Sequence, residues 1–122
     1  MAGTLVVTTL SDGTNSTSAT NPIRGSAKAW VSFNGSTSAI RGSYNVSSIT
    51  KNGTGNYFIN FTTPLSSANY AVTGIGSHVV GVVALFAVIR ENTRTTTGYQ
   101  IDYFTVGSTY ADTIDANTAA FI

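Results

Sequence analysis

The chain has 122 residues, enough for one domain with a modest core, and only 9% of them are charged, for a net charge of +1. Six cations scattered from Arg24 to Arg94 make no basic patch, so nucleic acid is not an expected partner. With no cysteine there is neither a disulfide framework nor a thiolate metal site, and a hydrophobic content of 42% is too high for a disordered low-charge segment. Polar character comes from 20 Thr, 14 Ser and 10 Asn beside 12 Gly. Thr favours strands, while Asn, Ser and Gly favour turns, so the composition predicts an all-β protein.

Met1-Ala2-Gly3 opens directly into Thr4-Leu5-Val6-Val7, with no basic stretch ahead of an apolar one, and no signal peptide is expected. A first strand is predicted over Thr4 to Leu10, which is rich in β-branched residues. Ser11 to Asn21 is a polar run containing Asp12-Gly13, and with the first strand it forms a candidate N-terminal arm over residues 1–21. Ile23 to Phe33 reads as the next strand, with Trp30 as its core anchor. Asn34-Gly35-Ser36 then turns the chain into a strand from Ala39 to Ser48.

Asn52-Gly53-Thr54-Gly55-Asn56 is the clearest hairpin signal, because Gly and Asn tolerate the positive φ of tight turns. After it, Tyr57, Ile59 and Phe61 alternate with Phe58 and Asn60, which predicts one strongly apolar strand face closed by Pro64. Ala68 to Gly74 follows as a strand with Tyr70 and Val72 on one face, and Thr97 to Val106 alternates again through Tyr99, Ile101 and Tyr103. No helix is predicted.

Val79 to Ile89 differs, since every residue in it except Gly81 is apolar. A transmembrane helix needs roughly 20 such residues, so no membrane insertion is expected. The Val and Ile content predicts a strand apolar on both faces, whereas an antiparallel strand normally shows one face to water. Such a strand needs a second cover, from another segment or another subunit. Val80, Val82, Leu85, Phe86 and Val88 are therefore candidate oligomer-interface residues, together with Phe121 and Ile122 of the apolar C-terminal run.

Side chains able to do chemistry are sparse. His78 is the only histidine, which excludes a two-histidine zinc site and leaves it as a loop or packing residue. Asp102, Asp112 and Asp115 lack the D-x-D-x-D-G order of a calcium loop and read as solvated loop charges. Five N-x-S/T triplets, at Asn15, Asn34, Asn45, Asn52 and Asn60, follow from composition. Tyr44, Tyr57, Tyr70, Tyr99, Tyr103 and Tyr110 read singly as cover for the core, and as a set keep open a carbohydrate-stacking platform. Arg24 reads as extending into water, while Arg41 is balanced between water and a carboxylate across a subunit seam. No catalytic residue, cofactor or metal is expected.

One segment carries more specific information. Lys28-Ala29-Trp30-Val31-Ser32-Phe33-Asn34-Gly35 leads to Ile40-Arg41-Gly42-Ser43-Tyr44-Asn45-Val46-Ser47-Ser48-Ile49. Asn52-Gly53-Thr54-Gly55-Asn56-Tyr57, Phe61-Thr62-Thr63-Pro64 and Ala68-Asn69-Tyr70 follow. This order resembles a module of tail fibres and other virion structural proteins of bacteriophages, notably those of marine cyanobacteria. That family shows a KAWVNFNG-like strand, an IRxSxNVSSI strand, an NGTGxY turn and an FTTxxxxANY strand. The resemblance covers about a third of the chain and departs at Ser32, where the pattern often has Asn.

The pattern of short strands predicts a single antiparallel β-sandwich over residues 1–122, jelly-roll-like in plan. The resemblance implies a homotrimer in the virion, made in the host bacterial cytoplasm, with other phage structural proteins as partners. It points to a tail-fibre or fibre-tip component, or alternatively a capsid decoration protein bound to the major capsid protein. On the fibre reading, polar loops holding Asn34, Asn52, Asn56 and Arg94 are the expected host contacts, with a surface glycan as ligand.

Overall fold

The structure, a computed structural model, describes residues 3–77 and 85–122. His78, Val80 and Val82 lie outside the described residues, as does the first part of the run from Val79. The elements are β1 (Thr9–Ser11), β2 (Ser16–Ser18), α1 (Thr20–Gly25), β3 (Ala29–Phe33), β4 (Ile40–Tyr44) and β5 (Val46–Gly53). They continue with β6 (Asn56–Phe61), β7 (Ala71–Gly76), β8 (Leu85–Ile89), β9 (Gly98–Thr105) and β10 (Ala116–Phe121).

Two four-stranded sheets, ordered β4-β3-β10-β7 and β5-β6-β9-β8, enclose one core, and all their pairings are antiparallel. The all-β antiparallel sandwich expected from composition is therefore present. Consecutive strands β3–β4, β5–β6 and β8–β9 pair within a sheet, and the chain changes sheet between β4 and β5, β6 and β7, β7 and β8, and β9 and β10. Among the described residues no helix is long and apolar enough to cross a membrane.

Alternation decides what enters the core. In β6, Tyr57, Ile59 and Phe61 point inward, and in β9 Tyr99, Ile101 and Tyr103 do the same, as the pattern predicts. They meet Ala29, Val31 and Phe33 of β3 and Ala116 and Ala120 of β10. The same parity overturns the reading of Trp30 as a core anchor: with Val31 and Phe33 inside, Trp30 must face out, and it is 42% exposed.

Four tyrosines fill the interior instead, and each hydroxyl has a partner, as a buried phenol requires. Tyr57 donates to Asp112 at 2.5 Å, Tyr70 to the Gly98 carbonyl at 2.8 Å, and Tyr103 to the Asn117 carbonyl at 3.3 Å. Tyr99 bonds the Thr118 hydroxyl at 2.8 Å. Edge-on contacts link Phe33, Tyr57 and Tyr103 in one row, and Phe61, Tyr70 and Tyr99 lie together in another. Burial pushes the Tyr70 phenol up to about 12 and raises those of Tyr57, Tyr99 and Tyr103 further, so all four are neutral donors.

Several boundaries differ from expectation for local reasons. The N-terminal strand is only Thr9–Ser11, and the polar run is not a plain loop: β1 and β2 form a small hairpin of their own. Its turn is closed by the Asp12 carboxylate, which accepts the Thr14 and Asn15 N–H groups at 2.9 and 2.7 Å. Residues read as the start of a strand at Ile23 and Arg24 belong to α1, where Pro22 sits in the first turn and its missing N–H costs nothing. Arg24 is exposed there, as expected.

The strand predicted from Ala39 to Ser48 is two strands, divided at Asn45. That residue has φ 54°, a left-handed conformation that Asn tolerates, and it swings the chain from one sheet to the other. Its amide donates to the Lys28 and Thr63 carbonyls at 3.1 and 3.0 Å and accepts the Thr63 N–H at 2.8 Å, pinning the corner. The apolar C-terminal run docks within its own chain, because β10 lies between β3 and β7 as a central strand.

Candidate functional site

The carboxylates are not solvated loop charges. Asp102, in β9, is buried and accepts from Arg90 Nε at 2.9 Å. Asp115 pairs with Arg41 within the same chain, both side chains remaining partly exposed. Asp112, in the β9–β10 connection, accepts from Lys51 Nζ at 2.6 Å, Gly55 N–H at 2.8 Å and Tyr57 O–H at 2.5 Å. Lys51 Nζ also reaches the Gly35 and Ser36 carbonyls at 3.0 and 3.2 Å. Burial alone raises Asp112, but the bonds from Lys51, Tyr57 and Gly55 outweigh it and hold the carboxyl below its ordinary 3.8. Spaced far apart in sequence, these partners carried no local signal. Among the described residues no three acidic or histidine side chains gather as metal ligands.

This cluster ties together three connections at one end of the sandwich, the β3–β4 turn, the β5–β6 hairpin and the β9–β10 connection. Gly55 is required there: its φ is +65°, and a Cβ would stand 2.6 Å from the Tyr103 carbonyl. Asn34, Asn52 and Asn56 lie at this end, on the β3–β4 turn and the β5–β6 hairpin. Asn34 is engaged, its side-chain oxygen accepting the Ser36 N–H at 2.9 Å, while Asn52 is exposed. Asn56 is half-buried, and its side-chain oxygen has no partner among the described residues. Arg94 sits in the β8–β9 connection at the opposite end, where it donates to the Tyr70 carbonyl at 2.9 Å. The four expected host contacts therefore do not form one site.

The outer sheet faces are more distinctive. On the β5-β6-β9-β8 sheet, Phe86 and Val88 are 54% and 47% exposed, opposite Phe104 and Asp102 of β9. Phe104 stacks obliquely on Tyr110 with ring centres 4.3 Å apart. Leu85, Ala87 and Ile89 point the other way and are half-buried, so β8 is apolar on both faces, and the described residues leave the outer one open. Phe121 is half-buried on the outer side of β10, and Ile122 packs on the core cluster of its own chain.

On the β4-β3-β10-β7 sheet the outer face carries Trp30, Tyr44, Ile75 and Phe121 around Ser32, Thr73 and Asn117. Ile75 is 68% exposed. A shallow depression of about 530 Å³ lies here, lined by Trp30, Ser32, Thr73, Ile75, Asn117 and Ala119 among others, none of them charged. Of the six tyrosines only Tyr44 and Tyr110 are exposed, so the tyrosine set is not a sugar platform, and four of its members are core.

No family model, curated protein or solved structure matches this chain. Its chemistry is therefore read from the two faces. One sets phenylalanine and aliphatic side chains beside the Arg90–Asp102 ion pair and Gln100, and the other combines an indole with uncharged hydrogen-bonding groups. Sequence parity was the signal available for both: in β3 and β8 the inward residues fix which neighbours must face out.

Proposed function

We propose that this chain is a bacteriophage virion structural protein, a small tail-fibre or fibre-tip component that assembles as a homotrimer and contacts the host surface. The observation that carries the reading is the open apolar face of β8, with Phe86 and Val88 about half exposed beside Phe104. Side chains of that kind, contiguous across two strands, are buried between subunits in stable assemblies. Phe86 and Val88 are the proposed seam residues, whereas Leu85 points to the inner face and drops out, and Val80 and Val82 lie outside the described residues. The jelly-roll-like plan belongs to the proposal only in the sense that the chain repeatedly changes sheet. Three copies of a low-affinity face would raise avidity for a repetitive host surface.

A capsid decoration protein is the second reading, favoured by a specific feature. Leu5, Val6 and Ile23 are largely exposed, and β1 and β2 pair with each other and, among the described residues, with no strand of the sandwich. Such a segment suits an arm that grips a capsid subunit. A cryo-electron-microscopy map of the intact particle separates the two. Threefold density on the tail or a projecting fibre is the expected result, and density at capsid lattice points overturns it in favour of decoration.

A further inference from the structure

We infer that the outer face of the β4-β3-β10-β7 sheet binds a neutral, hexose-based glycan, stacked on Trp30 and hydrogen-bonded by Ser32, Thr73 and Asn117. The inference rests on the host-contact reading and names the ligand chemistry.

The indole reaches over Gly42 on the neighbouring strand, where a Cβ would stand 3.6 Å from two of its ring carbons, an ordinary contact distance. Trp30 is 42% exposed, which leaves aromatic surface open to pack the C–H surface of a pyranose. Ser32 stands directly opposite Asn117, Asn117 opposite Ile75, and Thr73 opposite Ala119, the residue that also faces Trp30. Three groups able to bond hydroxyls are thus spaced along β3, β10 and β7 beside the ring. The Thr73 and Asn117 carbonyls are engaged by Thr118 and Tyr103, whereas the side chains of Ser32, Thr73 and Asn117 have no partner among the described residues.

Charge and volume select the ligand class. No charged side chain lines the depression, so neither an acidic sugar nor a phosphate finds a counter-charge. Its 530 Å³ falls within the roughly 300–1,000 Å³ of small-molecule sites. An apolar partner surface fits less well, because it would bury Ser32, Thr73 and Asn117 unpaired. On the Phe86–Val88 face the polar groups of Arg90, Asp102 and Gln100 already bond one another, so the two faces divide the work: one for self-association, one for a hydroxyl-rich ligand.

Trp30 is the only tryptophan in the chain, and its fluorescence reports this face alone. The test titrates the full chain with neutral oligosaccharides (maltotetraose, cellotetraose and mannotetraose), with tetragalacturonate as the charged control. Saturable change in Trp30 emission with at least one neutral sugar, and none with the control, is expected. Asn117→Ala should weaken that binding about fivefold to tenfold while leaving the starting emission unchanged. No saturation with any neutral sugar, or equal response to the charged one, overturns the ligand assignment. So does emission that shifts with protein concentration alone, which marks a second copy on this face. Adsorption to host cells separates the two levels of the argument. Loss of adsorption in Trp30→Ala, with Trp30→Phe retaining most of it, supports the platform; unchanged adsorption in Trp30→Ala overturns the platform and leaves host contact standing. A wild-type chain that adsorbs to no cells removes the host-contact reading itself, and the fluorescence titration then decides the sugar site alone.

Discussion

Removing the Asp112 carboxylate tests whether one acidic residue locks the connections at one end of the sandwich. Three donors converge on it, from Lys51, Gly55 and Tyr57. Hydrogen bonds to a charged group contribute about 1.5–3 kcal/mol each, so the three together have a gross worth of about 4.5–9 kcal/mol. Not all of that is lost in Asp112→Ala. Lys51 is partly exposed and water can replace the carboxylate there, and the Tyr57 hydroxyl keeps the Gly35 carbonyl at 2.9 Å. The expected loss is about 3 kcal/mol, a fall in Tm of about 10 °C for a domain of this size. Asp112→Asn keeps an acceptor for Tyr57 and Gly55 and loses the charge opposite Lys51, so it should cost about 1–1.5 kcal/mol. Urea unfolding followed by near-ultraviolet tyrosine dichroism measures both, and a Lys51→Met/Asp112→Ala cycle should return a coupling of about 1 kcal/mol. An Asp112→Ala protein within about 0.5 kcal/mol of wild type would refute the reasoning, because a surface carboxylate behaves that way.

The same residue sets an acid limit. Its folded carboxyl lies below the ordinary 3.8, so on acidification the unfolded chain takes up the proton first. The stabilisation is present above the unfolded value and is lost as pH falls through the folded one; wild type should therefore lose more stability than Asp112→Asn on acidification below about pH 4. At the sheet-to-sheet corner, Asn45→Ala should cost about 2–3 kcal/mol by urea unfolding, from three lost side-chain bonds and a φ of 54°. Asn45→Gly relieves the backbone and should cost less, and equal losses would show that the bonds alone matter. Phe86→Asp with Val88→Asp should convert the proposed trimer to a folded monomer by light scattering, and a trimer that persists removes β8 from the seam.

The strands that alternate cleanly were legible in sequence. Tyr57, Ile59 and Phe61, then Tyr99, Ile101 and Tyr103, announce their inward faces, and the Asn52–Asn56 hairpin marks its own turn. The break at Asn45 was less visible, because Asn fits a strand-adjacent position as readily as a left-handed corner until its long-range bonds are known. Trp30 was misread because size was weighed above parity: a bulky ring was placed inside although Val31 and Phe33 on either side of the alternation had claimed that face.

By itself, then, the sequence determined the class of fold, the half-buried strands and the existence of a strand apolar on both faces, since each follows from composition or from a period of two residues. Only the tertiary structure decided which sheet each strand joined and which charges met. Lys51 with Asp112, Arg41 with Asp115 and Arg90 with Asp102 are partners made by strand order and register. So is the outer face on which Trp30, Ser32, Thr73 and Asn117 come together from three strands. Local pattern fixes which way a side chain points, and only the pairing of distant strands fixes what it points beside.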